Sequence, residues 1–156
     1  MRKTFQVLAY ALCVEVIIQA MAIAYALFGL GKWIEDDGGV LNKQVMDASN
    51  GPEFSGVGGF AIHGMNGMML IPLLVLLLLI VSFFAKVPGG VRRAAALVGL
   101  VVLQVVLGIS GHSVPYLGPV HALNAFVILV VAFQTARLAG AGPATAPAPV
   151  RDAVGA

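Results

Sequence analysis

Three stretches almost empty of charge dominate this sequence. Thr4 to Gly31 contains a single charged residue, Glu15, while Phe54 to Ala85 and Ala94 to Ala136 contain none. A helix crossing the hydrocarbon core needs about 20 predominantly apolar residues. The first two stretches each accommodate one such helix, and the third accommodates two joined by a tight turn. Only 10% of the residues are charged and 60% are hydrophobic, whereas a soluble domain is usually about 25% charged. The expected fold class is therefore all-α, an integral membrane four-helix bundle built from two similar helical hairpins. Its spans are expected at about 5–31, 57–85, 91–111 and 115–138, forming one domain over 1–138. The Ala/Pro/Gly-rich tail, 139–156, is expected to be disordered. Pro72 predicts a kink inside the second span, because apolar sequence continues on both sides of it.

Several function classes drop out at once. The net charge of +2 is too small and too scattered for a nucleic-acid surface. A single cysteine, Cys13, makes no intrachain disulfide, CxxC pair or cysteine-based zinc site. No glycine-rich phosphate loop is present. Arg2 and Lys3 before an apolar run imitate a signal peptide, but Glu15 interrupts the run and it continues through Leu30, so it reads as a retained span.

Orientation follows from the basic residues. Arg2 and Lys3, then Lys86, Arg92 and Arg93, then Arg137 and Arg151 fall on one side of the expected bundle, leaving only Lys32 and Lys43 for the other. The positive-inside rule places both termini in the cytoplasm of a bacterial cytoplasmic membrane protein, with the acidic 32–55 loop and the His112 turn outside. Trp33 suits the aromatic belt. A short repeat also emerges. His63-Gly-Met-Asn66-Gly67 and His121-Ala-Leu-Asn124-Ala125 share a pattern, and Gln19 and Gln104 end matching runs in the first and third spans. Both hairpins would start in the cytoplasm, giving a parallel repeat.

Polar side chains inside spans are costly and usually face the bundle interior. Those here are Glu15, Gln19, His63, Asn66, Gln104, His121, Asn124 and Gln134. His63 and His121 each lie about 9 Å below the outer helix start, at a rise of 1.5 Å per residue, and Gln104 falls near the same level. Two neutral imidazoles at matched depth on different helices are what a bis-histidine haem requires. Gly59, Asn66 and Gly67 share a helix face with His63, and Gly118, Asn124 and Ala125 share one with His121. Small residues there leave room for a macrocycle, yet they equally allow close helix packing, with both histidines merely satisfying Asn and Gln on neighbouring helices. The sequence weighs these two readings equally. Glu15 sits near the bilayer middle. It reads either as a neutral acid bridging two helices or as a proton-handling carboxylate, and the bridging reading is slightly the stronger.

The second half, Leu103-Gln104-Val-Val-Leu107-Gly108 followed by Val120-His121-Ala-Leu-Asn-Ala125, resembles a half-bundle of the haem A synthase family. His63-Gly-Met-Asn-Gly67 is similar to the second-helix histidine motif of that family. The family places histidines on the second and fourth helices of each of two four-helix halves, so the resemblance implies that His63 and His121 are axial ligands. It covers roughly residues 57–138. Phe60 stands where the catalytic half has a glutamate, Gly64 stands where an arginine follows the histidine, and there is one half-bundle here. A haem-modifying activity is therefore not implied. The chain also resembles small four-helix bacterial membrane proteins of unassigned function. The expected function is a cytochrome b-like protein carrying haem b, engaged in electron transfer or redox sensing with a redox partner or quinone. The rivals are a cofactor-free structural or partner-binding bundle and a small proton-coupled transporter using Glu15.

Overall fold

A computed structural model of the protein describes residues 1–48 and 51–141. It is all-helical. α1 (Arg2–Glu35) is the first span. After a short surface helix, α2 (Lys43–Asp47), the chain runs through α3 (Gly58–Met65), one π turn at Asn66–Leu70, and α4 (Ile71–Ser82) as a single long helix. α5 (Gly90–Gly111) and α6 (Leu117–Gly140) complete the set. Four helices, Arg2–Glu35, Gly58–Ser82, Gly90–Gly111 and Leu117–Gly140, are each long and apolar enough to cross a membrane. They form a ring in which the first span packs on the second and fourth, and the third also packs on the second and fourth. The second and fourth therefore stand diagonally across the bundle.

The first helix outruns its expected bounds. Its 34 residues at a rise of 1.5 Å make about 51 Å, well beyond the hydrocarbon thickness of about 30 Å, so it emerges from the bilayer. Trp33 lies on that emergent turn and stacks on Phe54 with ring centroids 5.8 Å apart. The 139–156 tail is helical as far as Gly140, and its remainder from 142 lies outside the described residues. Arg2 ties the two ends together. Its Nε donates to the Ala139 carbonyl at 2.8 Å and its guanidinium also reaches Ala141, satisfying carbonyls that the end of the last helix leaves without intrahelical partners. Both described chain ends thus lie at the same end of the bundle.

The interior is built from small and aliphatic residues, and the outside is at least as apolar. Ala9, Ala26, Ala94, Ala132 and Ala136 are fully buried beside Phe5, Leu12, Leu78 and Leu97, while Phe28, Phe84, Phe126 and Leu73 face outward. An outward face of this kind in water would be an aggregation surface; in lipid it is solvated. Hydrophobicity cannot drive helix association among lipid tails, so close backbone approach takes over. Gly59 shows this directly, since a β-carbon there would collide with the Ala22 carbonyl of the first span. Gly56 sits at φ 102° against the Tyr25 carbonyl, where only glycine fits comfortably.

Pro72 is accommodated by the π turn before it. In a regular helix its ring would clash with the carbonyl four residues back, at Met68. Over Asn66–Leu70 the helix widens, with the Ile71 N–H donating to the Asn66 carbonyl five residues back, and the strain of the proline is absorbed over that turn. The buried face continues beyond it through Ile71, Val75, Leu78 and Ser82. If close approach holds the first two spans together, Gly59→Val should cost about 1–3 kcal/mol by overpacking. Gly64→Ala, whose new methyl meets open space, should change little. Unfolding titrations of the two variants in mixed micelles would check this.

Candidate functional site

Two glutamines on diagonal helices organise the polar centre. His63 on α3 places Nδ1 3.1 Å from the Gln19 backbone carbonyl of α1. His121 on α6 places Nδ1 3.1 Å from the Gln104 backbone carbonyl of α5. A carbonyl can only accept, so in both rings Nδ1 carries the proton and Nε2 holds the lone pair. This is the tautomer that a ligating imidazole with its second nitrogen tied down must have. The rings approach one another across the bundle, with centroids 6.1 Å apart and planes inclined by 59°.

Beyond that shared feature the two histidines differ. His63 makes its one hydrogen bond among the described residues through Nδ1. His121 is engaged at both nitrogens, because the Gln104 side-chain amide donates to Nε2 at 3.2 Å. Gln104 Oε1 in turn accepts from Asn124 Nδ2 at 2.7 Å, and Asn124 also donates to the Leu100 carbonyl. Asn124 is buried, and both of its amide N–H bonds are used in this array. Asn66 has another partner: its Nδ2 donates to Glu15 Oε2 at 3.0 Å. Glu15 therefore faces the second span, as expected for a carboxyl that would otherwise stand in hydrocarbon.

Below the imidazoles lies a central cavity of about 50 Å³, lined by Gln19, Gln104, Gly67 and Ala125 with Val16, Ile71, Val101 and Ile128. Gly67 and Ala125 thus border the space between the histidine-bearing helices. A crevice of about 320 Å³ between the second and third spans reaches His63, Gln104 and Gly108. A groove of about 530 Å³ between the first and fourth spans reaches His121, Gln19 and Ala125. Gly108 matters to the first of these, because a β-carbon there would stand 3.1 Å from His121 Cε1. Gln19 is buried, and neither atom of its side-chain amide has a hydrogen-bond partner among the described residues.

The structure therefore brings together His63, His121, Gln104, Asn124, Gly67 and Ala125, with Glu15 and Asn66 joined one turn from Gln19. Two expected residues stand apart. Gly59 packs on the first span, and Gly118, one turn before His121, is exposed with open space around its α-carbon. Sequence reasoning missed the Gln19 and Gln104 carbonyls and Gly108. Backbone acceptors leave no residue-type signature, and only the matching Gln positions hinted at them. Among the described residues no three or more His, Cys, Asp or Glu side chains converge as a metal site.

Residues 53–111 match the model of a family of unknown function, DUF6220. The matched stretch holds His63, Asn66 and Gln104 but neither Gln19 nor His121. No match is found among curated proteins or solved structures.

The Glu15–Asn66 contact makes a graded prediction. Glu15→Gln keeps an acceptor oxygen for Asn66 and should unfold within about 0.5 kcal/mol of the parent. Glu15→Leu strands the Asn66 amide and should cost about 1–3 kcal/mol. Thermal unfolding in detergent followed by circular dichroism reads both. Equal losses in the two variants would mean that the carboxyl itself matters, beyond an acceptor oxygen for Asn66.

Proposed function

We propose that the protein is a small b-type haem protein of a cytoplasmic membrane, passing single electrons or sensing redox state through His63 and His121. One observation carries this reading: two imidazoles on diagonal helices, each with Nδ1–H held by a backbone carbonyl, lie with ring centroids 6.1 Å apart. Two metal–imidazole bonds of about 2.0–2.1 Å, judged from zinc, separate the ligating nitrogens by about 4 Å and the ring centres by about 6 Å. A metal held by two protein side chains needs its other donors from the group itself, which is the coordination a porphyrin brings. Gly67 and Ala125 border the cavity of about 50 Å³ between the histidine-bearing helices, which must part to admit a macrocycle, and crevices reach His63 and His121 from two flanks.

Bound there, haem would supply reversible one-electron exchange at potentials set by its axial ligands and surroundings. The protein's part is orientation. The Gln19 and Gln104 carbonyls lock both imidazoles in the ligating tautomer, and the Gln104 amide must leave His121 Nε2 before that nitrogen can ligate. A haem held by both His63 and His121 would favour electron transfer over catalysis, and the electrons would go to a redox partner or quinone. A cofactor-free bundle is the second reading, favoured by the saturation of His121 at both nitrogens.

A parallel repeat of two similar hairpins belongs to the same proposal. It is supported by the matching Gln carbonyl–His contacts, and by buried and half-buried positions that recur in step. Phe5, Ala9, Leu12 and Gln19 have the spacing of Gly90, Ala94, Leu97 and Gln104. In the second and fourth spans, His63 is separated from Ile71 by one residue more than His121 from Ile128. The π turn takes up that extra residue, so Ile71, Val75, Leu78 and Ser82 keep step with Ile128, Ala132, Thr135 and Ala139. In this arrangement both termini are cytoplasmic, on the weight of the basic residues.

Protein purified from haem-replete cells should show a Soret band that shifts on reduction. His63→Ala and His121→Ala should each abolish the six-coordinate low-spin spectrum. A colourless product, or a spectrum untouched by both changes, would leave the cofactor-free bundle. For topology, cysteines introduced at Asp47 and Thr145 should behave oppositely in intact cells. The first should react with an impermeant reagent and the second should not; the reverse pattern inverts the orientation.

A further inference from the structure

Gln19 and Gln104 hold corresponding places in the two hairpins, yet only one of their side chains is answered. The Gln104 amide bonds His121 and Asn124. Gln19 is 9% exposed, and neither its amide nitrogen nor its amide oxygen has a partner among the described residues. That amide lies on the Gly67 side of the central cavity, since a β-carbon built on Gly67 would stand 3.5 Å from Gln19 Nε2. Gln104 lines the same cavity from the other hairpin. It has bonding capacity left: a primary amide carries two N–H bonds and two oxygen lone pairs, and His121 and Asn124 take one of each. The hydrogen bonds of His63, Asn66, His121 and Asn124 among the described residues all stay inside one hairpin. The central cavity is where these two polar arrays face each other.

We propose that the central cavity is a hydrated site, in which water bridges the Gln19 amide to Gln104 and so joins the two hairpins. Size, charge and donor count each narrow the occupant. A cavity admits a water once it offers roughly 10–15 Å³. This one offers about 50 Å³, enough for water and far below the roughly 300 Å³ at which pockets for larger organic ligands begin. No Lys, Arg, Asp or Glu lines it, so an ion has no counter-charge there. A buried water is held by about three hydrogen bonds to groups otherwise unsatisfied. Gln19 and the spare capacity of Gln104 meet that need, although Val16, Ile71, Val101 and Ile128 make other parts of the wall apolar. An apolar gas would fill the same volume and leave the Gln19 amide unanswered. Shared walls draw the way in. Gly67, Gln104 and Val105 line both the central cavity and the crevice between the second and third spans, which runs past His63 to His112. His112 is exposed in the turn after α5, so water enters from that end of the bundle. The site rests on Gln19 and the cavity, not on haem.

The test uses the full chain in phosphatidylcholine nanodiscs, with its glutamine side chains isotopically labelled. NMR transfer from water should give a cross-peak to the Gln19 side-chain amide, with the sign of a long-lived bound water and not of proton exchange. Gln19→Leu should remove it. Leucine keeps the backbone carbonyl that holds His63, so the frame of the bundle is retained. Ala125→Leu, which fills the cavity from the fourth span and leaves both glutamines in place, should extinguish the Gln19 signal as well. A dry cavity would behave differently: no water cross-peak, a bound-xenon signal in xenon NMR, and a higher melting temperature in Gln19→Leu because an unmade bond has been removed. That pattern overturns the site, and so does a cross-peak that survives both substitutions. For the way in, single cysteines at Gly64 and Met65 are compared in a Cys13→Ser background. Gly64 lines the crevice, whereas Met65, at nearly the same depth, faces outward. A water-borne methanethiosulfonate attacks thiolate, which needs water around it, so the Gly64 site should react about ten-fold faster. Equal rates at the two sites overturn the route.

Discussion

Inside a bilayer no water competes for hydrogen bonds, so a polar side chain in a span is costly unless its own helix or another answers it. That constraint organises this bundle. His63 is answered by the Gln19 carbonyl, His121 and Asn124 by Gln104, and Asn66 by Glu15. Each contact joins neighbouring helices of one hairpin, and together they set those helices in register. Because the acceptors for both imidazole Nδ1 atoms are backbone carbonyls, the rings are positioned by atoms that cannot rotate away. The 6.1 Å approach of the rings across the bundle follows from that anchoring.

Packing then works within the frame of these bonds. The first and second spans approach through Gly59 and Ala22, close enough to bring the second span's polar face onto Glu15 and Gln19. The π turn at Asn66–Leu70 begins at Asn66 itself, absorbs Pro72 and shifts the helix phase by one residue. Without that shift the apolar half, from Ile71 to Ser82, would turn its buried face away from the core once His63 and Asn66 were in place. Single π turns often coincide with functional positions, and here one separates the polar half of a span from its structural half.

Glu15 and Gln19, one turn apart, show how differently two polar residues on one helix can be treated. The half-buried carboxyl finds Asn66, and its place within the span is explained by that partner. Gln19 has its backbone carbonyl already spent on His63 and a side-chain amide with no partner among the described residues. A bundle that uses both Asn124 N–H bonds yet strands Gln19 has unmet bonding capacity beside the central cavity.

Four apolar spans, the inward aim of Glu15 and the shared depth of the two histidines were legible in the residue string. Each depends only on local composition and on the bilayer's intolerance of unpaired polarity. The roles of the small residues were not. Gly59, Gly67 and Gly118 look alike in sequence, but one packs on a helix, one borders the cavity and one faces open space. What distinguishes them is the position of a second helix. The same holds for the carbonyls that hold the imidazoles, the extra residue absorbed by the π turn, and the central cavity beside Gln19. These are properties of distance between segments far apart in the chain. Hydrophobic periodicity specifies which residues leave water, but only the packed bundle decides which backbone atom each polar group meets.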